Sequence, residues 1–169
     1  MFRVCLTQGR ACLPALLLLL AGIAPAQPAS SAETAMVEVL SASEDVLMAF
    51  SVQPGGRWCL AWNHSVTGIR VLDCYQYDDG RMVLERSHQP DFAAGLGHVA
   101  GRGIQRSDGS GGYWIEQINE PVPGNRYLLR VGSPAVNHRI LRGASEASLS
   151  ALAAGQQVTI RLTTGRESP

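Results

Sequence analysis

The sequence contains no lysine: all 14 of its basic residues are arginine, set against 14 Asp and Glu, for a formal net charge of zero. That balance excludes a polybasic nucleic-acid surface or an acidic tail as the organising feature. No apolar run reaches the roughly 20 residues a spanning helix requires, so no membrane anchor is expected. Histidine is scarce, with four residues in all, and there is no His-x-x-x-His and no Cys-x-x-Cys at metal-ligand or redox spacing. Neither a metal nor any other cofactor is therefore expected. An apolar share of 46% with 17% charged residues belongs to a chain that folds rather than to a disordered one.

Residues 1–26 have the pattern of a secretory signal. Arg3 and Arg10 supply the positive end, residues 11–24 supply the apolar stretch, and Ala24-Pro25-Ala26 is a small-x-small cleavage site. The expected mature chain is one domain over residues 27–169, periplasmic or secreted, with no membrane span after cleavage. The leader carries two of the arginines and both Cys5 and Cys12. The remaining chain is then slightly acidic and keeps only Cys59 and Cys74.

Hydrophobic periodicity beyond residue 35 is close to two, the period of strands. Strands are expected at 36–40, 46–52, 57–63, 69–77, 81–87, 113–118, 127–131, 138–142 and 157–163. Pro54-Gly55-Gly56 and Asp78-Asp79-Gly80 mark turns. Residues 88–112 form a long glycine-rich loop in this reading. Residues 148–154 give the one helical turn, stopped by Gly155. Many short strands with Gly and Pro turns predict an all-β fold, an antiparallel β-sandwich or barrel.

Register places the two cysteines. A hairpin turn centred between Val66 and Thr67 sets Cys59 directly opposite Cys74. Facing residues in an antiparallel pair have Cα atoms roughly 4.5–5.5 Å apart, within disulfide reach. Export would supply the oxidising compartment, so a structural disulfide is expected. On the same hairpin Trp58, Leu60 and Trp62 alternate on one face with Val71 and Tyr75, a pattern of core packing.

Residues 57–85, RWCLAWNHSVTGIRVLDCYQYDDGRMVLE, carry a resemblance to a bacterial family catalogued as domain of unknown function 1850. Trp62-Asn63-His64-Ser65-Val66 is similar to that family's aromatic-x-His-Ser-Val motif. Asp73 and Tyr75 match its acid two positions before an aromatic. Ala93-Ala94-Gly95-Leu96 after Phe92, and Leu129-Arg130-Val131-Gly132 before His138, resemble its later segments. The chain departs from the family at Thr67 and Leu72, where acids are usual, and at Arg70, where Pro is usual. Members of the family are typically exported and encoded beside tripartite periplasmic transporters that use a separate solute receptor. The resemblance thus implies an accessory role in solute uptake, with the receptor or permease as partner.

The candidate binding residues are His64, Ser65, Asp73, Gly95, Leu96 and His138, read as a polar site at the mouth of the sheet under the glycine-rich loop. Catalysis is not expected. In the register above Asp73 faces Leu60, about 13 Å along the strand from His64, too far for a base and its orienting acid. Ser65 lacks the Gly-x-Ser-x-Gly elbow of a hydrolase. The alternatives are a hydrolase or metal-dependent enzyme built on His64, Asp73 and His138, and a structural envelope protein.

Overall fold

A computed structural model describes residues 33–89 and 101–165, which belong to one compact unit. Residues 1–26, with the expected signal and its cleavage site, lie outside the described residues, as do Phe92, Gly95 and Leu96. Among the described residues no helix is long and apolar enough to cross a membrane.

The described residues form twelve strands, nine of them at expected places: β1 Ala35–Leu40, β2 Val46–Val52, β3 Arg57–Asn63, β4 Arg70–Asp78, β5 Arg81–Gln89, β6 Ile104–Ser107, β7 Tyr113–Glu116, β8 Glu120–Pro121, β9 Arg126–Arg130, β10 Arg139–Arg142, β11 Ser145–Ser148 and β12 Gln157–Thr164. One helix, α1 (Leu149–Ala153), begins at Ser148, whose side chain accepts the Ala151 N–H, and gives way at Gly155 with φ at 77°. Sheet A has the order β2-β1-β12-β9. Sheet B runs β11-β10-β3-β4-β5-β7-β6, with β8 paired to β5. The pairings are antiparallel and neither sheet closes on itself, so the fold is a sandwich rather than a barrel.

The core lies between the sheets. Val37, Val39, Val158, Ile160 and Leu162 from sheet A meet Trp58, Leu60, Tyr75, Tyr77 and Met82 from sheet B, all buried. This is the face that the Trp58–Leu60 alternation assigns to packing. Burying side chains of this size contributes about 1.5–3 kcal/mol each. The β3–β4 register is the expected one: Cys59 pairs with Cys74 and Leu60 with Asp73. The disulfide is formed, with Cα atoms 4.0 Å apart. It lies on the outer face of sheet B, against buried Ala61 and Leu72. At the β4–β5 turn Asp79 and Gly80 both adopt positive φ, 45° and 75°, the two-residue hairpin geometry that an Asp-Gly step favours.

The expected loop over 88–112 is corrected at both ends. Strand β5 continues to Gln89, and β6 occupies Ile104–Ser107. All four β6 residues are exposed at the edge of sheet B. They bury no face, so they leave no alternation for a periodicity argument to find. Strands β8 and β11 escape it for the same reason, being short and largely exposed.

One irregularity re-aims the side chains of β5. Between Cys74↔Arg86 and Tyr75↔Leu84 the ladder skips Glu85, a β-bulge. The bulge carbonyl accepts the Ile118 N–H at 2.9 Å. The Glu85 carboxylate is held by a two-point Arg57 contact at 2.7 and 3.0 Å. An extra residue shifts a period of two by one. Met82 and Leu84 point into the sandwich. Past the bulge Ser87 and Gln89 point inward, while Arg86 and His88 turn outward.

Candidate functional site

His64 opens the β3–β4 turn. Its carbonyl accepts the Gly68 N–H and its own N–H donates to Ile69 O, both at 2.8 Å. Its Nδ1 accepts the N–H groups of Val66 and Thr67 at 3.3 Å each. The imidazole therefore folds back on its own turn and satisfies two amides that the turn would leave unpaired. Ser65 sits at the exposed tip, beside Val66, which is 85% exposed.

His138 is a second local tie. Its Nδ1 accepts the Gly132 N–H at 2.8 Å, and its own N–H donates to Ser150 Oγ at 2.9 Å. Ser150 Oγ in turn donates to Gly132 O at 3.0 Å. The His138 carbonyl takes the Leu149 and Ser150 N–H groups at 2.9 and 3.1 Å. Its burial favours the neutral imidazole and lowers its pKa. The ring thereby fastens the turn before β10 to the start of α1.

Asp73 is placed elsewhere. It lies opposite Leu60 on β3 and opposite Ser87 on β5, facing into the sandwich. Its Oδ1 accepts the Ser87 hydroxyl at 2.6 Å, and Ser87 Oγ accepts from Gln89 Nε2 at 2.7 Å. Ser87 and Gln89 are buried. Burial raises the Asp73 pKa, opposed by the Ser87 hydrogen bond and by the charge of Arg102. Arg102 is itself paired through two nitrogens to Glu120, at 2.9 and 3.0 Å.

An aromatic ladder walls this cluster. Trp58 stacks on Tyr75 at 5.9 Å between centroids, and Tyr75 on Tyr127 at 5.3 Å. Both phenols are pushed up in pKa, by burial first and then, for Tyr75, by the Asp73 charge. The direction of each hydrogen bond follows from the chemistry. Ser87 gives its one proton to Asp73, and Gln89 gives an amide proton to Ser87. Gln89 is thus oriented with Oε1 as a free acceptor, and that atom is buried without a hydrogen-bond partner. Asp73, Ser87 and Gln89 together form an acceptor-rich group suited to a donor such as a hydroxyl or an amine.

The sequence-expected residues therefore do not converge. His64, His138 and Asp73 each bond within a different local structure, and Gly95 and Leu96 lie outside the described residues. Among the described residues no group of three or more His, Cys, Asp or Glu is placed to hold a metal. Ser87, Gln89, Arg102 and Tyr127 are the residues that sequence reasoning missed. For Ser87 and Gln89 the available signal was the polar pair at alternate positions in β5 opposite Asp73, hidden by the bulge.

Comparison with known proteins gives one match. The model of the family described as a domain of unknown function, DUF1850, matches residues 59–149, from the bridged cysteine of β3 to the start of α1. No curated protein and no solved structure matches the chain. The match takes in the His64 turn, the disulfide, Asp73 with its Ser87–Gln89 chain, and the His138 tie, and the chain belongs to the DUF1850 family of domains of unknown function.

Proposed function

We propose that residues 27–169 form an exported, extracytoplasmic binding domain that supports a receptor-dependent tripartite solute transporter and has no catalytic step of its own. The observation that carries this reading is the fate of the three candidate catalytic groups. No two of them bond to each other: His64 Nδ1 accepts from its own turn, His138 Nδ1 from Gly132, and Asp73 Oδ1 from Ser87. Nucleophilic catalysis needs a base within hydrogen-bond reach of a nucleophile, and the Asp73–Ser87 pair has no imidazole beside it in its hydrogen-bond chain. What is left is suited to recognition: the acceptor-rich Asp73 cluster, and the exposed Ser65-Val66 tip that His64 shapes. The disulfide supports an oxidising compartment. In this reading residues 1–26 direct export.

Co-purification tests it. The chain, tagged and expressed at its native level, is recovered from detergent-treated envelopes. The receptor or permease of the transporter is expected with it, and His64→Ala reduces recovery while leaving the melting temperature within a few degrees. Absence of both components in cross-linked and uncross-linked samples overturns the transport role in favour of a structural envelope protein. Metal- or ester-dependent turnover lost in Asp73→Asn overturns the non-catalytic reading.

A further inference from the structure

The outward-facing residues of β5 build a second polar constellation on the opposite side of sheet B from Asp73. His88 Nε2 lies 2.8 Å from Asp108 Oδ2. Asp108 Oδ1 accepts the backbone N–H of Ser110 at 2.7 Å and of Gly112 at 3.0 Å. Those amides, the Ser110 amide foremost, and His88 hold the Asp108 carboxyl at a pKa of about 2. The carboxylate is thus ionised and already engaged by three donors. The imidazole rests against Trp114, with ring centroids 4.9 Å apart, and the Arg86 guanidinium sits 4.6 Å from the Trp114 ring on the same strand face. Position 112 must be glycine for this to close. A Cβ there would lie 2.5 Å from Asp108 Oδ2 and 2.8 Å from Gln89 O.

Beside this pair is a cavity of about 380 Å³, lined by Ile69, Arg70, His88, Asp108 and the 110–112 glycine turn. That volume lies within the range of small-molecule sites, about 300–1,000 Å³. Arg70 makes no ion pair with any described residue. Among the described lining residues Asp108 is the one acid, and it already accepts from its own loop and from His88, whereas the Arg70 guanidinium is the cation there without an ion pair. A guanidinium presents paired N–H donors in a plane, the complement of two oxygens of a carboxylate or phosphate. We propose that the cavity walled by Arg70, His88 and the Asp108–Gly112 turn is a binding site for a small oxyanion, with Arg70 as its principal contact and the His88–Asp108 pair as its rigid floor.

The site is independent of the transport role, because a chain that co-purifies with no transporter component would still bind the anion. The test is a nuclear magnetic resonance titration of the mature chain with inorganic phosphate, and separately with acetate, at ionic strength held constant with chloride. Saturable shifts are expected at Ile69, Arg70, His88 and the 110–112 amides, with a dissociation constant on the order of 1 mM for a single charged contact. Arg70 is exposed at the start of β4, so Arg70→Gln folds, and it weakens binding about tenfold or more. The arm that saturates first distinguishes a phosphate ligand from a carboxylate. Non-saturating shifts in both arms, shifts centred on another face, or equal affinity in Arg70→Gln overturn the proposal.

Discussion

Reducing the Cys59–Cys74 bridge gives the sharpest test of how this fold is held. The bridge closes a loop of sequence separation 15, for which the chain-entropy account gives about 3 kcal/mol. The native hairpin does not depend on it for register. The ladder from Arg57↔Gln76 to Asn63↔Arg70 and the His64 turn bonds fix that independently. Opening the bridge should therefore leave the folded state intact and act on the unfolded chain. Against a total stability of about 5–15 kcal/mol, that is a sizeable fraction, expected to lower the melting temperature by roughly 10 °C. The assay is urea unfolding followed by tryptophan fluorescence, with and without reductant. Trp58 is buried in the main core and reports it directly. A more expanded unfolded state must also raise the denaturant slope on reduction. The Cys59→Ala/Cys74→Ala double variant should fall further still, because Cys74 is 2% exposed and packs in the Ala61–Leu72 cluster. Coincident midpoints with and without reductant would refute the reasoning. A lowered midpoint with an unchanged slope would move the effect from the unfolded to the folded state.

Other perturbations separate local roles. Burial raises the Asp73 pKa, so the folded state holds that proton more tightly than the unfolded state does. Its stabilising contribution is full below the ordinary carboxylate value of about 3.9 and is lost as pH rises through the folded value. Asp73→Asn should thus stabilise the chain at pH 7, by on the order of 1 kcal/mol, and a loss in a pH-7 melt would show that the Ser87 bond outweighs desolvation. Asp108 has the opposite sign. Its pKa is lowered from 3.8 to about 2, so its contribution is present above pH 4 and disappears on acidification toward pH 2, and melting of Asp108→Asn should lose less stability across that window than the parent chain. His64→Ala should cost about 0.5–1 kcal/mol for two exposed amide bonds, and His64→Asn, which also accepts, should recover part of it in the same melt. Deleting Glu85 should cost more than 3 kcal/mol, because it drives His88 inward and Ser87 outward, and a near-neutral melting temperature would refute the assigned register.

The elements that bury one face were legible in the sequence. Strands β2 and β3 begin and end where alternation places them, and the Cys59–Cys74 pairing followed from one turn centre. The elements with no buried face were not, because β6 contributes four exposed residues and periodicity records burial rather than backbone pairing. The candidate site was legible in part. Asp73 was found, because Asp73 and Tyr75 resemble the family's acid two positions before an aromatic. Its partner Ser87 is fourteen residues away and was not found. His88 was noted only as one of four scattered histidines. Its neighbour Asp108 comes from the far side of a glycine-rich stretch, so the contact depends on how β5 and β7 pair. The His64 and His138 rings illustrate the opposite error: a histidine beside a turn draws attention as chemistry when its ring is closing backbone hydrogen bonds.

The Glu85 bulge links these outcomes. Without it, the inward alternation of Met82 and Leu84 would continue to Arg86 and His88. A guanidinium and an imidazole would then enter a sandwich lined by Tyr75, Val71 and Leu60, where an unpaired charge is expensive. With one residue added, the same strand gives its inner face to Ser87 and Gln89, which satisfy Asp73, and its outer face to Arg86 and His88, which find Trp114 and Asp108. The Arg57 fork and the Ile118 amide tie the extra residue at its side chain and its carbonyl, so the shift is specified by partners rather than left to slip. Bulges of this kind re-aim side chains beside functional sites. Here a single insertion sets both the acceptor-rich cluster and the oxyanion cavity, on opposite faces of three consecutive residues.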